Sequence, residues 1–137
     1  MPQRRKDHKA MTKDEINKLS EKVIGCCIEV HKRLGPGLLE SVYEKALCIE
    51  LKRNGIPFEK QKTLHVTYRG KSVGTFRLDV LVKEIIVLEL KSVERHDPVF
   101  EATISSYLKL GKYPLGLLIN FNSKLLKNDI KRFVNNF

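Results

Sequence analysis

Sixteen residues, Phe76 to Lys91, constrain this chain more than any other stretch: FRLDVLV, a polar break at Lys83-Glu84, then IIVLELK. Two β-branched, apolar runs joined at a short polar break are a hairpin signal. Because strand side chains alternate, Leu78, Val80 and Val82 are expected on one face of the first strand, and Ile86, Leu88 and Leu90 on one face of the second. Directly paired residues must then share parity. With Lys83 to Ile85 as the connection, Val82 falls opposite Ile86, Val80 opposite Leu88, and Asp79 opposite Glu89. Opposed Cβ atoms of an antiparallel pair stand about 4.5–5.5 Å apart, where like charges repel. Two carboxylates side by side therefore need a cation between them. Leu81, Ile85 and Val87 share the acid face, so both faces of the sheet are expected to be covered, and carboxylates in such surroundings need a partner.

A divalent metal fits that gap, since hard cations are commonly held by one or two carboxylates plus water and substrate phosphates. Lys91 lies two residues beyond Glu89 and on the same face. Asp79, Glu89 and Lys91 thus form the Asp…Glu-x-Lys constellation of metal-dependent phosphodiester cleavage. An acid-x-Lys triplet alone also describes a solvated strand edge; the register and the apolar surroundings point past it.

A chain of 137 residues has the length of one domain. The reading is a basic N-terminal arm at 1–11 and a single domain at 12–137. The 26 Lys and Arg exceed the 16 Asp and Glu, giving +10. A charge that large favours a polyanionic partner, nucleic acid above all, although excess lysine also serves solubility alone. Arg4, Arg5, Lys6 and Lys9 read either as an arm on a nucleic-acid backbone or as an ordinary frayed terminus. Cys26, Cys27 and Cys48 have no zinc-site spacing, so they read as small apolar residues of a reduced, cytoplasmic protein. No apolar run follows the basic N-terminus as a secretory signal requires, and none approaches the roughly 20 residues of a membrane span. No membrane partner is expected.

Along the chain, Thr12-Lys13-Asp14-Glu15 is a capping box, and Ile16, Leu19, Val23, Val30 and Leu34 continue it as an amphipathic helix to Gly35-Pro36-Gly37. A second helix carries a stripe of Leu39, Tyr43, Leu47 and Leu51, widened by Val42, Ala46 and Ile49, and ends at Asn54-Gly55. Leu64, Val66 and Tyr68 alternate as a half-buried strand, and Arg69-Gly70 supplies a turn before the hairpin. Asp97-Pro98 opens a third helix, closed by Gly111, and Leu115 to Phe121 reads as an interior strand. In the tail, Ile130, Phe133 and Val134 favour a short helix, with a strand as the other reading. Helix, helix, three strands, helix, strand predicts an α/β fold with a mixed sheet flanked by helices on both faces.

With the acid pair and Lys91 placed on a hairpin, the chain resembles the PD-(D/E)XK nuclease superfamily. More narrowly it is similar to the GxxExxY family, whose signature stands here as Gly37-Leu38-Leu39-Glu40-Ser41-Val42-Tyr43. The likeness spans roughly Ile24 to Phe121, with Glu29-Val30-His31 before the glycines and Leu117 to Phe121 after. The resemblance implies a three-layer restriction-endonuclease-like fold, and a nuclease that hydrolyses phosphodiester bonds, in DNA rather than RNA. It implies Mg²⁺ or Mn²⁺ on Asp79 and Glu89, Glu40 as a third acid, and Lys91 orienting water or offsetting charge on the phosphate. Without the resemblance, Glu40 reads equally as a helix-start acid favoured by the dipole, and Tyr43 as a core aromatic. The family's Glu-Ala-Gln, followed by Tyr, stands here as Glu101-Ala102-Thr103 with Tyr107, so the Gln is absent. That departure keeps open a second function: a non-catalytic module on the same fold that binds nucleic acid or a protein partner.

Overall fold

The structure is a computed structural model that describes residues 11–137. The basic stretch Pro2 to Ala10, including the four cationic residues of the expected arm, lies outside the described residues.

Helix α1 (Lys13–Leu34) begins where the capping box places it: Glu15 N donates to Thr12 Oγ1 at 3.1 Å, and Thr12 N to Glu15 Oε1 at 2.8 Å. Gly35 ends it at φ 71, its amide reaching the His31 carbonyl at 2.8 Å. Helix α2 (Glu40–Arg53) follows. Then come β1 (Phe58–Tyr68), β2 (Lys71–Val82), β3 (Ile86–Lys91), α3 (Pro98–Gly111), β4 (Leu115–Asn120), a 3₁₀ turn (Leu126–Asp129) and β5 (Ile130–Val134).

The strands form one mixed sheet in the order β1-β2-β3-β4-β5. Only β3 and β4 run parallel, and α3 is the crossover between them. The hairpin has the register that parity demands: Val82 opposite Ile86, Leu81 opposite Val87, Val80 opposite Leu88. Lys83 and Glu84 turn it with φ of 51° and 56°.

Both faces of the sheet are covered. Helices α1 and α2 bury Val23, Cys27, Tyr43, Leu47 and Leu51 against Val80, Val82, Ile86, Leu88 and Leu90. Helix α3 buries Ile104 and Leu108 against Leu81, Val87 and Leu118. At about 25 cal/mol per Å² of apolar area, this two-sided burial is the main term holding the layers together. His31, favoured at its helix end by the dipole, also serves packing: its Nε2 lies 2.7 Å from the Ser123 carbonyl, tying α1 to the segment after β4. The three cysteines are unpaired, with Cys26 and Cys27 buried.

Several expectations are corrected. Leu78 leaves the face of Val80 and Val82 and packs in the α3 layer with Leu81 and Ile104. The regular pleat breaks beside it: Lys60↔Val80 and Lys62↔Leu78 pair in one register, but the rung between them, Gln61, at φ 54, and Asp79, is left unpaired. Such an irregularity re-aims neighbouring side chains. Ile85, in the turn, joins the α1–α2 layer instead of the acid face. Leu39 precedes α2 and is 73% exposed, and Ile49 is 61% exposed, so the stripe narrows to Tyr43, Leu47 and Leu51. Gly111 is the last helical residue, and Lys112 takes the left-handed cap at φ 60. Glycine is needed at 111 for space: a Cβ there would meet the Tyr113 ring at 2.3 Å. The tail is a strand, because β5 supplies the antiparallel partner for the outer edge of β4, from Ile119↔Ile130 to Leu115↔Val134.

Candidate functional site

The site forms where β2 and β3 part. Their ladder ends at Val80↔Leu88, and the next residues on each strand are Asp79 and Glu89. In place of further rungs, the two carboxylates take backbone amides: Leu90 N donates to Asp79 Oδ2 at 2.8 Å, and Asp79 N donates to Glu89 Oε1 at 3.3 Å. One oxygen of each acid is engaged in this way. Among the described residues no hydrogen bond occupies Asp79 Oδ1 or Glu89 Oε2.

Burial and proximity raise both acids. Glu89 is only 7% exposed, and its carboxyl is pushed up to about 8, first by burial and then by the Asp79 charge, against the Asp79 amide and Lys91. Burial likewise raises Asp79; the Leu90 amide opposes it, and the charges of Glu44 and Glu40 add to it. Without a cation, burial and the Asp79 charge thus make Glu89 hold its proton.

Lys91, half-buried at the end of β3, projects toward α3, its Nζ 4.4 Å from the centroid of the Phe100 ring. Beyond it lies a cleft of about 170 Å³ lined in part by His96, Phe100, Asn120 and Lys131. His96 and Lys131 both reach Glu101 Oε2, at 2.6 and 2.8 Å, so His96 belongs to that ion cluster. Thr103 is half-buried on the face of α3 that carries Phe100 and Tyr107, both of which pack on the sheet. Tyr107 is close enough that Glu89 and Asp79, after burial, push its phenol up, and its ring lies 5.5 Å from that of Phe76.

Helix α2 approaches from the opposite layer. Glu40 is its exposed first residue, and its charge is felt by both strand acids. The segment leading to it is pinned through Leu38. Tyr43, fully buried and stacked on Phe121 at 4.5 Å, donates its hydroxyl to the Gly35 carbonyl at 2.5 Å and accepts the Leu38 amide at 3.1 Å. Ser92, just past Lys91, donates to the Leu38 carbonyl at 2.6 Å. The core reading of Tyr43 therefore holds, and its hydroxyl also fixes the start of α2.

Asp79, Glu89 and Lys91 are brought together, with Glu40 in electrostatic range. Among the described residues, no three His, Cys, Asp or Glu side chains form a closed metal-binding group. The donor set on the strands is thus two carboxylates, each with an oxygen to spare. That set fits a hard divalent cation, which keeps most of its positions for water and phosphate. Glu44 is the contributor that the sequence did not single out. Glu44 stands one turn beyond Glu40 and accepts from Gln61 Nε2 at 2.9 Å, a spacing that could have flagged it.

Comparison with known proteins agrees with this geometry. No curated protein and no solved structure matches the chain. A family model described as the PD-(D/E)XK nuclease superfamily matches residues 17–133, which includes both acids, Lys91, β1 to β4 and all but the last residue of β5. With a five-stranded mixed sheet between helical layers and the acid pair at its parting strands, the chain belongs to the PD-(D/E)XK nuclease superfamily.

Proposed function

We propose that the domain at 12–137 is a nuclease of the GxxExxY kind that uses Mg²⁺ or Mn²⁺ to hydrolyse phosphodiester bonds in DNA. The observation that carries this is the placement of Asp79 and Glu89 side by side, both raised by burial and Glu89 also by the Asp79 charge, with Lys91 two residues further on the strand. Asp79 and Glu89 would hold the metal, with Glu40 as a third acid acting through water or charge. When bound, the metal supplies Lewis acidity toward the phosphoryl oxygen and lowers the pKa of a water.

The chain's own groups account for the rest. Lys91 offsets the negative charge that develops on the phosphate and orients the attacking water. Glu40 and Glu44 hold the local potential negative and so favour loading of the cation. Phe100 and Tyr107 pack on the sheet from the α3 side, beside Lys91 and the acid pair. The unpaired cysteines support a reduced, cytoplasmic setting.

Thr103, in the place where the family commonly has Gln, favours a second reading: a module that binds nucleic acid or a protein partner without cutting. Incubation of labelled DNA and RNA, single- and double-stranded, with Mg²⁺, Mn²⁺ or EDTA separates the two. Cleavage that both EDTA and Glu89→Gln abolish is the expected result. Tight binding without cleavage under either metal would establish the second reading instead.

A further inference from the structure

Strands β1 and β2 outlast the sheet. β3 pairs with β2 only as far as Val80, whereas the β1–β2 ladder continues from Lys62↔Leu78 to Tyr68↔Lys71, with Tyr107 of α3 reaching it at Phe76 near its base. At 3.2–3.4 Å per residue this two-stranded ribbon extends roughly 20 Å beyond the acid pair. It ends in a two-residue turn, Arg69 and Gly70 at φ 51 and 80, so its tip is narrow.

The ribbon's charge is of one sign. From Lys60 to Leu78 the chain carries Lys60, Lys62, Arg69, Lys71 and Arg77 and no acidic residue. Lys62 pairs with Glu59 at 3.2 Å; among the described residues, no carboxylate pairs with Arg69, Lys71 or Arg77. Residues 71–77 are all exposed, with Tyr68 at 64% and Val73 at 61%. Thr63 pairs with Arg77 and His65 with Thr75, which puts four hydrogen-bonding side chains on one face. A bare two-stranded hairpin is marginally stable in water, and a basic one that also exposes apolar side chains is suited to an anionic partner.

We infer that this ribbon is a nucleic-acid-binding arm that enters the major groove of B-form DNA. A groove about 12 Å wide admits a two-stranded ribbon, whereas the A-form major groove of RNA is deep and too narrow for side chains to read. Arg69, Lys71 and Arg77 contact phosphates, and the Thr63, His65 and Thr75 face meets base edges. Because the ribbon springs from Asp79 itself, its docking sets which phosphate reaches the acid pair. The inference rests on the nuclease reading for where the cut falls, while its test reads binding alone.

That test is fluorescence anisotropy of the full chain in EDTA with a labelled DNA duplex, an RNA duplex of the same sequence and the DNA single strand. The parent is expected to hold the DNA duplex at least roughly tenfold more tightly than the other two. Combined Arg69→Ala, Lys71→Ala and Arg77→Ala substitution should remove at least roughly tenfold of that affinity and flatten the log-affinity against log-salt slope by about 0.9 per lost contact. An unchanged melting temperature verifies folding of the variant. Equal affinity and slope in parent and variant overturns the inference, as does an RNA duplex or single strand held as tightly as the DNA duplex. Hydrolysis of bis(p-nitrophenyl) phosphate with Mn²⁺ tests the acid site separately: its absence in the parent ends the nuclease reading, and the affinity comparison still decides the ribbon.

Discussion

The Lys91 ammonium lies over the Phe100 ring, 4.4 Å from nitrogen to centroid, so the cation of the strand is seated on a residue of the helix across the site. A cation over an aromatic face is worth about 0.5–2 kcal/mol, depending on how far it is desolvated. Lys91→Ala is expected to remove turnover and leave DNA affinity nearly unchanged. Phe100→Leu should lower kcat by roughly two- to thirtyfold at constant KM, the equivalent of that range. Single-turnover rates and binding isotherms of both variants check this; a Phe100→Leu enzyme with parental kcat would show that the ring does not position Lys91.

Cation binding should also register as stability. Among the described residues each strand acid keeps an oxygen free of hydrogen bonds, so Mg²⁺ or Mn²⁺ is expected to raise the melting temperature. At a hundred times the dissociation constant the gain is about 2.7 kcal/mol, several degrees for a domain of this size. Asp79→Asn and Glu89→Gln should each abolish the shift. Were both variants to respond to metal as the parent does, the cation would sit elsewhere.

The raised carboxyl of Glu89 predicts a pH dependence of the metal-free protein. Folding lifts this group from its ordinary 4.5 to about 8, so between those values the folded state binds a proton that the unfolded state has lost. Its contribution to stability is therefore full below about 4.5 and is lost as pH rises through about 8. In EDTA the melting temperature of the parent relative to Glu89→Gln should fall across that window, and saturating Mg²⁺ should offset the fall because the cation binds the deprotonated form. Superimposable curves for parent and variant would place the titration on other groups.

Thr103 sits on the sheet-facing side of α3 between Phe100 and Tyr107. Its hydroxyl is too short to reach a phosphate and can bond back to its own helix. Thr103→Gln is expected to raise turnover and change stability little. Identical robust rates in the two proteins would mean that the missing amide carries no catalytic weight; two inert proteins that still bind metal through Asp79 and Glu89 would favour the binding module.

Where a short local pattern dictates the backbone, the sequence was sufficient. Thr12 and Glu15 cap α1, Asp97 and Pro98 start α3, and the hairpin register follows from its turn length. Leu78 was misplaced because alternation assumes an unbroken pleat, and the pleat breaks at Asp79, the residue that the site uses. Ile130, Phe133 and Val134 have helical spacing, and only the open edge of β4, set by residues far away in the chain, makes them a strand. Asp79, Glu89 and Lys91 were legible as a set because they lie on one hairpin. Glu44 was not, since it enters from a separate layer and only packing brings it near the pair, whereas Tyr107 came from the family pattern and not from the hairpin.

The peptide of Leu38 has its amide on Tyr43 and its carbonyl on Ser92, while its side chain is exposed and that of Leu39 more so. Between Gly37 and Glu40, then, the information lies in backbone atoms, which every residue except proline supplies alike. A saturation library over residues 37–43 should therefore be permissive at 38 and 39 and strict at Gly37, whose φ of 90 favours glycine, and at Tyr43, whose hydroxyl no other side chain replaces. A spelling of fixed letters separated by free ones is what a loop held by its main chain writes into its gene.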